Sequence, residues 1–131
     1  MAYIILAEDE IHIQRLAKVV LEKGGHTIQT VSSGEELLKC LETVTSLPDL
    51  MILDIMMPGI DGLQVLRTLK AQPKYAGIPV VMLTALAQEA IVLKGIQLGA
   101  KDYIRKPFHP VDLLDRINRQ LPQPVSKAEG S

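Results

Sequence analysis

Three short, uninterrupted apolar runs constrain this chain more than anything else in it. They are Tyr3–Ala7 (Tyr-Ile-Ile-Leu-Ala), Leu50–Leu53 (Leu-Met-Ile-Leu) and 79–83 (Pro-Val-Val-Met-Leu). A strand with one face in water alternates apolar and polar residues; continuous runs of this length fit strands buried on both faces. Weaker strands fit 26–31 and 101–105. The intervening stretches carry helical periods. Ile13, Leu16, Ala17, Val20 and Leu21 recur at the spacing of one helix face, and Gly24-Gly25 follows as a stop. Leu37, Leu41 and Val44 repeat the pattern after Ser33-x-x-Glu36, the spacing of a capping box. A third helix starts after Asp61-Gly62, turns Val65, Leu66 and Leu69 inward and ends before Pro73. A fourth covers about 88–98 and is closed by Gly99. The fifth opens on Pro110, where a missing N–H costs nothing, and carries Leu114, Ile117 and Leu121. Strand and helix thus alternate five times, which predicts an α/β fold: a parallel sheet with crossover helices on both faces.

A length of 131 residues makes one domain the default, expected over 1–121. Residues 122–131 (Pro-Gln-Pro-Val-Ser-Lys-Ala-Glu-Gly-Ser) have no apolar period and read as a tail or the start of a linker. With 47% hydrophobic residues but only three Tyr, one Phe and no Trp, the core must be aliphatic. Fourteen basic residues stand against fifteen acidic ones, so direct nucleic-acid binding is not expected. The single cysteine, Cys40, cannot form an internal disulfide, which favours a reducing compartment. The longest mostly apolar stretch, 78–87, is about half of the ~20 residues a spanning helix needs. The apolar start follows no basic region and runs into Glu8-Asp9-Glu10, unlike a signal peptide. The expectation is a cytoplasmic protein without membrane partners.

In an open parallel sheet the ligand site lies beyond the carboxyl ends of the strands, where strand order reverses. Here those ends are Glu8-Asp9 after the first strand, Asp54 after the third, Thr84 after the fourth and Lys106-Pro107 after the fifth. In the order 2-1-3-4-5, Asp54 is central, and the acidic pair and Thr84 lie one strand away on either side. Lys106 starts nearly ~10 Å away at ~4.8 Å per strand, a gap its stem spans in large part.

These positions resemble the receiver domain of bacterial two-component response regulators, over about residues 2–121. The motifs that carry the resemblance are Glu8-Asp9, Asp54-Ile-Met-Met-Pro58-Gly-x-Asp61-Gly62, Thr84-Ala85, and Gly99-Ala-Lys-Asp-Tyr103-Ile-x-Lys106-Pro107-Phe108. The resemblance implies a flavodoxin-like, five-stranded parallel sheet in the order 2-1-3-4-5. It implies Asp54 as phosphoacceptor, Glu8 and Asp9 as metal-site acids, Thr84 and Lys106 as phosphoryl contacts, and Tyr103 as an aromatic switch. It also implies a cis bond before Pro107. Two carboxylates ~5 Å apart repel by roughly 3 kcal/mol at an effective dielectric near 20, so the acids need compensation. Lys106 supplies one positive charge, and Mg²⁺ suits the all-oxygen set that remains. Asp9, Asp54 and the carbonyl of Met56 are the expected direct ligands, with Glu8 acting through water. The phosphoryl donor is expected to be a histidine kinase or histidine phosphotransfer protein, and the protein a phosphoacceptor switch rather than an enzyme. Output is expected through the surface of the fourth helix, fifth strand and fifth helix, toward a downstream protein or a second copy.

Each residue alone has a plainer reading. Glu8 and Asp9 suit a helix start, Asp54 suits a turn before Pro58-Gly59, Thr84 a satisfied strand end, Lys106 a solvated cation and Tyr103 a half-exposed strand tyrosine. It is their joint placement at four strand ends that argues for a site. His12, His26 and His109 lack metal-ligand spacing and read as structural or solvated. A flavin-binding reading fails because Glu-Asp-Glu after the first strand repels a phosphate. A phosphohydrolase with a second Asp two residues on fails because Met56 stands there. A receiver-like module that binds constitutively without phosphate, or a receiver cut from a larger, for example DNA-binding, regulator, are the other readings; a stand-alone receiver is favoured slightly over such a fragment. The resemblance implies that Met56 and Leu86, two residues beyond Asp54 and Thr84, flank the phosphoryl site; neither offers a strong hydrogen bond to an attacking water, so phosphate loss slower than in variants with polar groups there is expected. The apolar spread of Ala90, Ile91, Val92, Leu93 and Ile96 over more than one helix face predicts a contact surface.

Overall fold

The computed structural model describes residues 2–85 and 88–121. Five strands, β1 (Tyr3–Ala7), β2 (Thr27–Val31), β3 (Leu50–Leu53), β4 (Val80–Thr84) and β5 (Asp102–Arg105), form one sheet in the order β2-β1-β3-β4-β5. Every pairing is parallel, and the register sets Ala7 beside Leu53 and Thr84 beside Arg105. The connecting helices are α1 (Ile11–Lys23), α2 (Gly34–Thr43), α3 (Gly62–Lys70), α4 (Pro73–Ala76), α5 (Glu89–Gln97) and α6 (Pro110–Gln120). The expected α/β class and strand order are therefore the observed ones.

Alternate side chains of each strand feed two separate cores, as the period of two requires. On one face Ile5, Ala7, Met51, Leu53, Val80 and Met82 meet Leu37 and Leu41 of α2 and Val65, Leu66 and Leu69 of α3. On the other, Ile4, Leu6, Leu50, Ile52, Val81, Leu83 and Ile104 meet Ala17 and Leu21 of α1 and Leu113 and Ile117 of α6. This two-sided burial explains why the central strands carry no polar alternation.

The helix ends follow local chemistry. Glu36 N–H donates to Ser33 Oγ at 3.1 Å; the return arm of the box lands one residue early, with Glu36 Oε1 accepting from Ser32 N–H at 2.8 Å. Asp61 caps α3 by accepting from Gln64 N–H at 2.9 Å. His109 occupies the N-cap of α6 without a side-chain cap bond, and Pro110 takes the first position. His26 is buried and structural. Its Nδ1 accepts Ala2 N–H at 3.1 Å and its Nε2 bonds Asn118 Oδ1 at 2.7 Å, tying the start of the sheet to α6.

Two expectations change, and one element is new. Leu16, read as inward, is exposed, and α1 buries Gln14 with Ala17 and Leu21 instead. On α6 the fully buried residues are Leu113 and Ile117, with Leu114 half-buried beside them. After α3 the short helix α4 forms, opened by Pro73, anchored by buried Tyr75 and held by Lys70 Nζ, which donates to the carbonyls of Ala76 and Ile78. One turn is too short to show a period in sequence. Leu86 and the segment 122–131 lie outside the described residues.

Candidate functional site

The strand ends deliver their residues to one edge. Glu8, Asp9, Glu10, Asp54, Met56, Thr84, Ala85 and Lys106 line one open cavity of about 380 Å³. β1 and β3 end side by side, and Asp54 N–H donates to the Ala7 carbonyl at 3.1 Å, which sets the two acidic termini at one level. On the far side, Lys106 N–H donates to the Thr84 carbonyl at 2.9 Å, and the Lys106-Pro107 bond is cis.

Lys106 crosses the gap predicted for it. Its Nζ donates to Glu8 Oε1 at 2.9 Å and to Asp54 Oδ2 at 2.8 Å. The remaining oxygens are also bound: Glu8 Oε2 accepts Glu10 N–H at 3.0 Å, and Asp54 Oδ1 accepts Met56 N–H at 3.2 Å. Glu8 and Thr84 are buried, Asp54 is 3% exposed, and Asp9 is exposed at the cavity rim. Burial pushes the Glu8 carboxyl above its usual range, with the Asp54 charge adding to this, against the Lys106 and Glu10 hydrogen bonds. Burial alone would lower Lys106, but the hydrogen bonds and charges of Asp54 and Glu8 outweigh it and raise the ammonium pKa. Tyr103, half-buried on β5, is pushed up to about 12 by burial and by the Asp54 charge, so its phenol stays neutral at physiological pH.

The loop after β3 is set by two glycines. Gly62 lies so close to the strand end that a Cβ there would stand 2.1 Å from the Asp54 carbonyl oxygen. Gly59 takes φ +77, and Ile60 N–H beside it donates to Glu35 Oε2 of α2 at 3.1 Å. That left-handed turn brings the chain back toward Asp61 and the start of α3.

Glu8, Asp9 and Asp54 each place a carboxylate oxygen so that all three lie within 4.8 Å of one another. Three hard oxygen donors against one lysine make a donor set that fits Mg²⁺ or a similar divalent cation. Among the described residues, Glu8, Asp9, Asp54, Met56, Thr84 and Lys106 are at this edge, and Tyr103 stands on β5 beside it. What sequence reasoning missed is the support around the cavity, Gln14 and Glu35. The signal for Gln14 was an amide at the i−3 and i−7 positions of the stripe formed by Ala17 and Leu21.

The family model of the response regulator receiver domain matches residues 4–118. The alkaline phosphatase synthesis transcriptional regulatory protein PhoP of Bacillus subtilis is 40% identical over 118 residues, which cover 90% of this chain and 48% of that protein. The chain thus spans about half the length of the curated relatives it matches. The chemotaxis response regulator CheY4 of Vibrio cholerae has a TM-score of 0.85 at 28% identity, covering 92% of this chain and 99% of that one. The Mn²⁺-bound form of response regulator Rcp1 has a TM-score of 0.80 at 27% identity, covering 94% and 100%. With the strand order, the acid-lysine edge and a family match over most of its length in agreement, the chain belongs to the response regulator receiver domains of two-component signal transduction.

Proposed function

We propose that Asp54 is the phosphoacceptor of this receiver and that a histidine kinase or histidine phosphotransfer protein supplies the phosphoryl group. The observation that carries the reading is the Lys106 ammonium bridging Glu8 and Asp54 at the floor of an open cavity. A buried carboxylate hydrogen-bonded to a lysine, with a second acid bonded to the same ammonium, is placed to act as a nucleophile. Asp54 attacks phosphorus through one carboxylate oxygen. An O–P bond forms, the P–N bond to the donor imidazole breaks, and its electron pair returns to that nitrogen, leaving an aspartyl phosphate. Lys106 and the Thr84 hydroxyl then bind phosphoryl oxygens.

Asp9, Asp54 and the Met56 carbonyl would hold a divalent cation, Mg²⁺ by its preference for oxygen, and Glu8, whose oxygens are already engaged, would act through water. The cation supplies positive charge against the acids and the incoming phosphoryl oxygens. That a structurally similar response regulator has a Mn²⁺-bound form supports a divalent cation as the ligand class.

Phosphorylation adds about 1.5 to 2 negative charges beside Thr84. Thr84 moves toward them, Tyr103 turns into the space it leaves, and the surface of α5, β5 and α6 changes. On α5, Leu93 and Ile96 are 56% and 45% exposed, an apolar pair suited to a downstream protein or a second copy. The receiver unit is taken as 1–121, acting in the cytoplasm, and the sequence 122–131 as a tail or the start of a linker. The described residues include no helix long and apolar enough to cross a membrane.

Incubation with Mg²⁺ and acetyl phosphate tests the reading. An acid-stable, base-labile phosphoryl mass increment is expected, and it is absent in Asp54→Asn. A folded protein that takes no phosphoryl group from either acetyl phosphate or a phosphohistidine donor would favour a constitutive binding module.

A further inference from the structure

Among the described residues only five polar or charged side chains are buried: Glu8, Asp54 and Thr84 of the cavity, His26 at the far end of the sheet, and Gln14. Gln14 has no part in the chemistry above. It sits on the inward face of α1 at 6% exposure, in one stripe with Ala17 and Leu21, where an apolar residue of the same length would fill the space. A buried amide costs free energy unless it is hydrogen-bonded, so where its bonds go is informative. Gln14 Nε2 donates to the backbone carbonyl of Glu8 in a short contact, and lies 3.3 Å from Ser32 Oγ at the end of β2.

The Glu8 carbonyl belongs to the peptide that joins Glu8 to Asp9. On one side of that peptide is the buried acid bonded to Lys106, and on the other the exposed acid at the rim. The orientation of this one peptide plane therefore decides how the Asp9 carboxylate stands relative to those of Glu8 and Asp54. The backbone fixes the near side, because Glu8 N–H donates to the Val31 carbonyl at 3.0 Å. Gln14 fixes the far side from outside the cavity.

We infer that Gln14 is a positioning residue of the acidic site, holding the Glu8–Asp9 peptide so that the two acids and Asp54 converge on a divalent cation. The inference rests on the reading of those acids as the cation site. Groups that orient ligands in this way, without touching the ion, typically contribute about 10- to 100-fold in metal affinity. Without its donor the peptide is free to rock, and Asp9 loses its fixed place.

The test is Mn²⁺ affinity, read by water-proton relaxation, in the unaltered protein and in Gln14→Met, which keeps length and apolar volume but has no donor. The expected result is a dissociation constant raised about tenfold, with metal-free thermal unfolding showing a folded protein. An affinity unchanged within about twofold, set against that expected range, overturns the inference and leaves the metal site intact. If Mn²⁺ fails to bind the unaltered protein, the metal reading falls and this inference with it. A second measurement needs no variant: the Gln14 side-chain amide resonance of the unaltered protein is expected to shift when Mg²⁺ saturates the site. An amide signal that stays still while the Asp9 and Asp54 backbone signals move overturns the positioning role, even if Gln14→Met does not fold.

Discussion

At the scale of single residues, the site is a problem of charge solved with one lysine. Glu8 is fully buried, and burial is the main reason its carboxyl sits above the ordinary 4.5. The folded protein therefore holds that proton more tightly than the unfolded chain does. The stability this lends is complete below 4.5 and is lost as pH rises through the raised folded value. In metal-free protein the Glu8 contribution to the unfolding free energy should decline over that interval, and Glu8→Gln, which cannot ionise, should remove that contribution from the pH profile. Denaturant titrations across the acid range check this; parallel curves for the two proteins would count against it. Met56 carries a second prediction. Its side chain is 62% exposed at the cavity and offers no strong hydrogen bond to water. Met56→Asn supplies a donor and acceptor there, and aspartyl phosphate decay should quicken several-fold, on the order of 1 kcal/mol of barrier. Decay that is unchanged or slower in a phosphate-release assay contradicts it.

At the scale of elements, the fold was legible wherever burial imposed a period. β1 and β3 matched their apolar runs residue for residue, and α3 turned Val65, Leu66 and Leu69 inward as the spacing predicts. The errors came where apolar residues outnumber buried positions. α1 carries Ile11, Leu16 and Val19 in water while a glutamine goes inside, and no periodicity separates an exposed leucine from a buried one. α4 escaped because a single turn has no period to read. The strand-end residues were legible because a parallel sheet sends strand termini to one edge whatever the loops contain. Gln14 and Glu35 were not, because they reach the site through backbone groups that a sequence does not display. The α3 start makes the element-level prediction. A Cβ on Gly62 would stand 2.1 Å from the Asp54 carbonyl oxygen, and backbone cannot give way as a side chain can. Gly62→Ala should cost about 2 to 3 kcal/mol of stability and displace Asp54 enough to slow its phosphorylation. A variant as stable and as reactive as the parent protein would refute the claim that this contact sets the position of the loop.

At the scale of the whole molecule, a net charge of −1 conceals a strongly acidic edge. The balance is local rather than global: Lys106 answers Glu8 and Asp54 inside, while Arg116 pairs with Asp102 and Asp112 on the surface of α6 and β5. The two cores lock the sheet from both sides, so a change at the proposed phosphoryl site is expected to find its outlet in the surrounding helices. α5, with Leu93 and Ile96 exposed, is the outlet the account predicts. Beryllofluoride with Mg²⁺ should change either self-association or binding of a partner, and Leu93→Lys should remove that change without blocking phosphorylation. Light scattering that shows no change, together with no differential partner binding, would leave the surface without a role. The central claim is tested most directly at Asp54 itself. After reaction with acetyl phosphate, borohydride reduction converts an aspartyl phosphate to homoserine, and peptide mapping locates it. The account predicts homoserine at position 54 alone, dependent on Mg²⁺; homoserine at another aspartate, or nowhere in a folded protein, would contradict it.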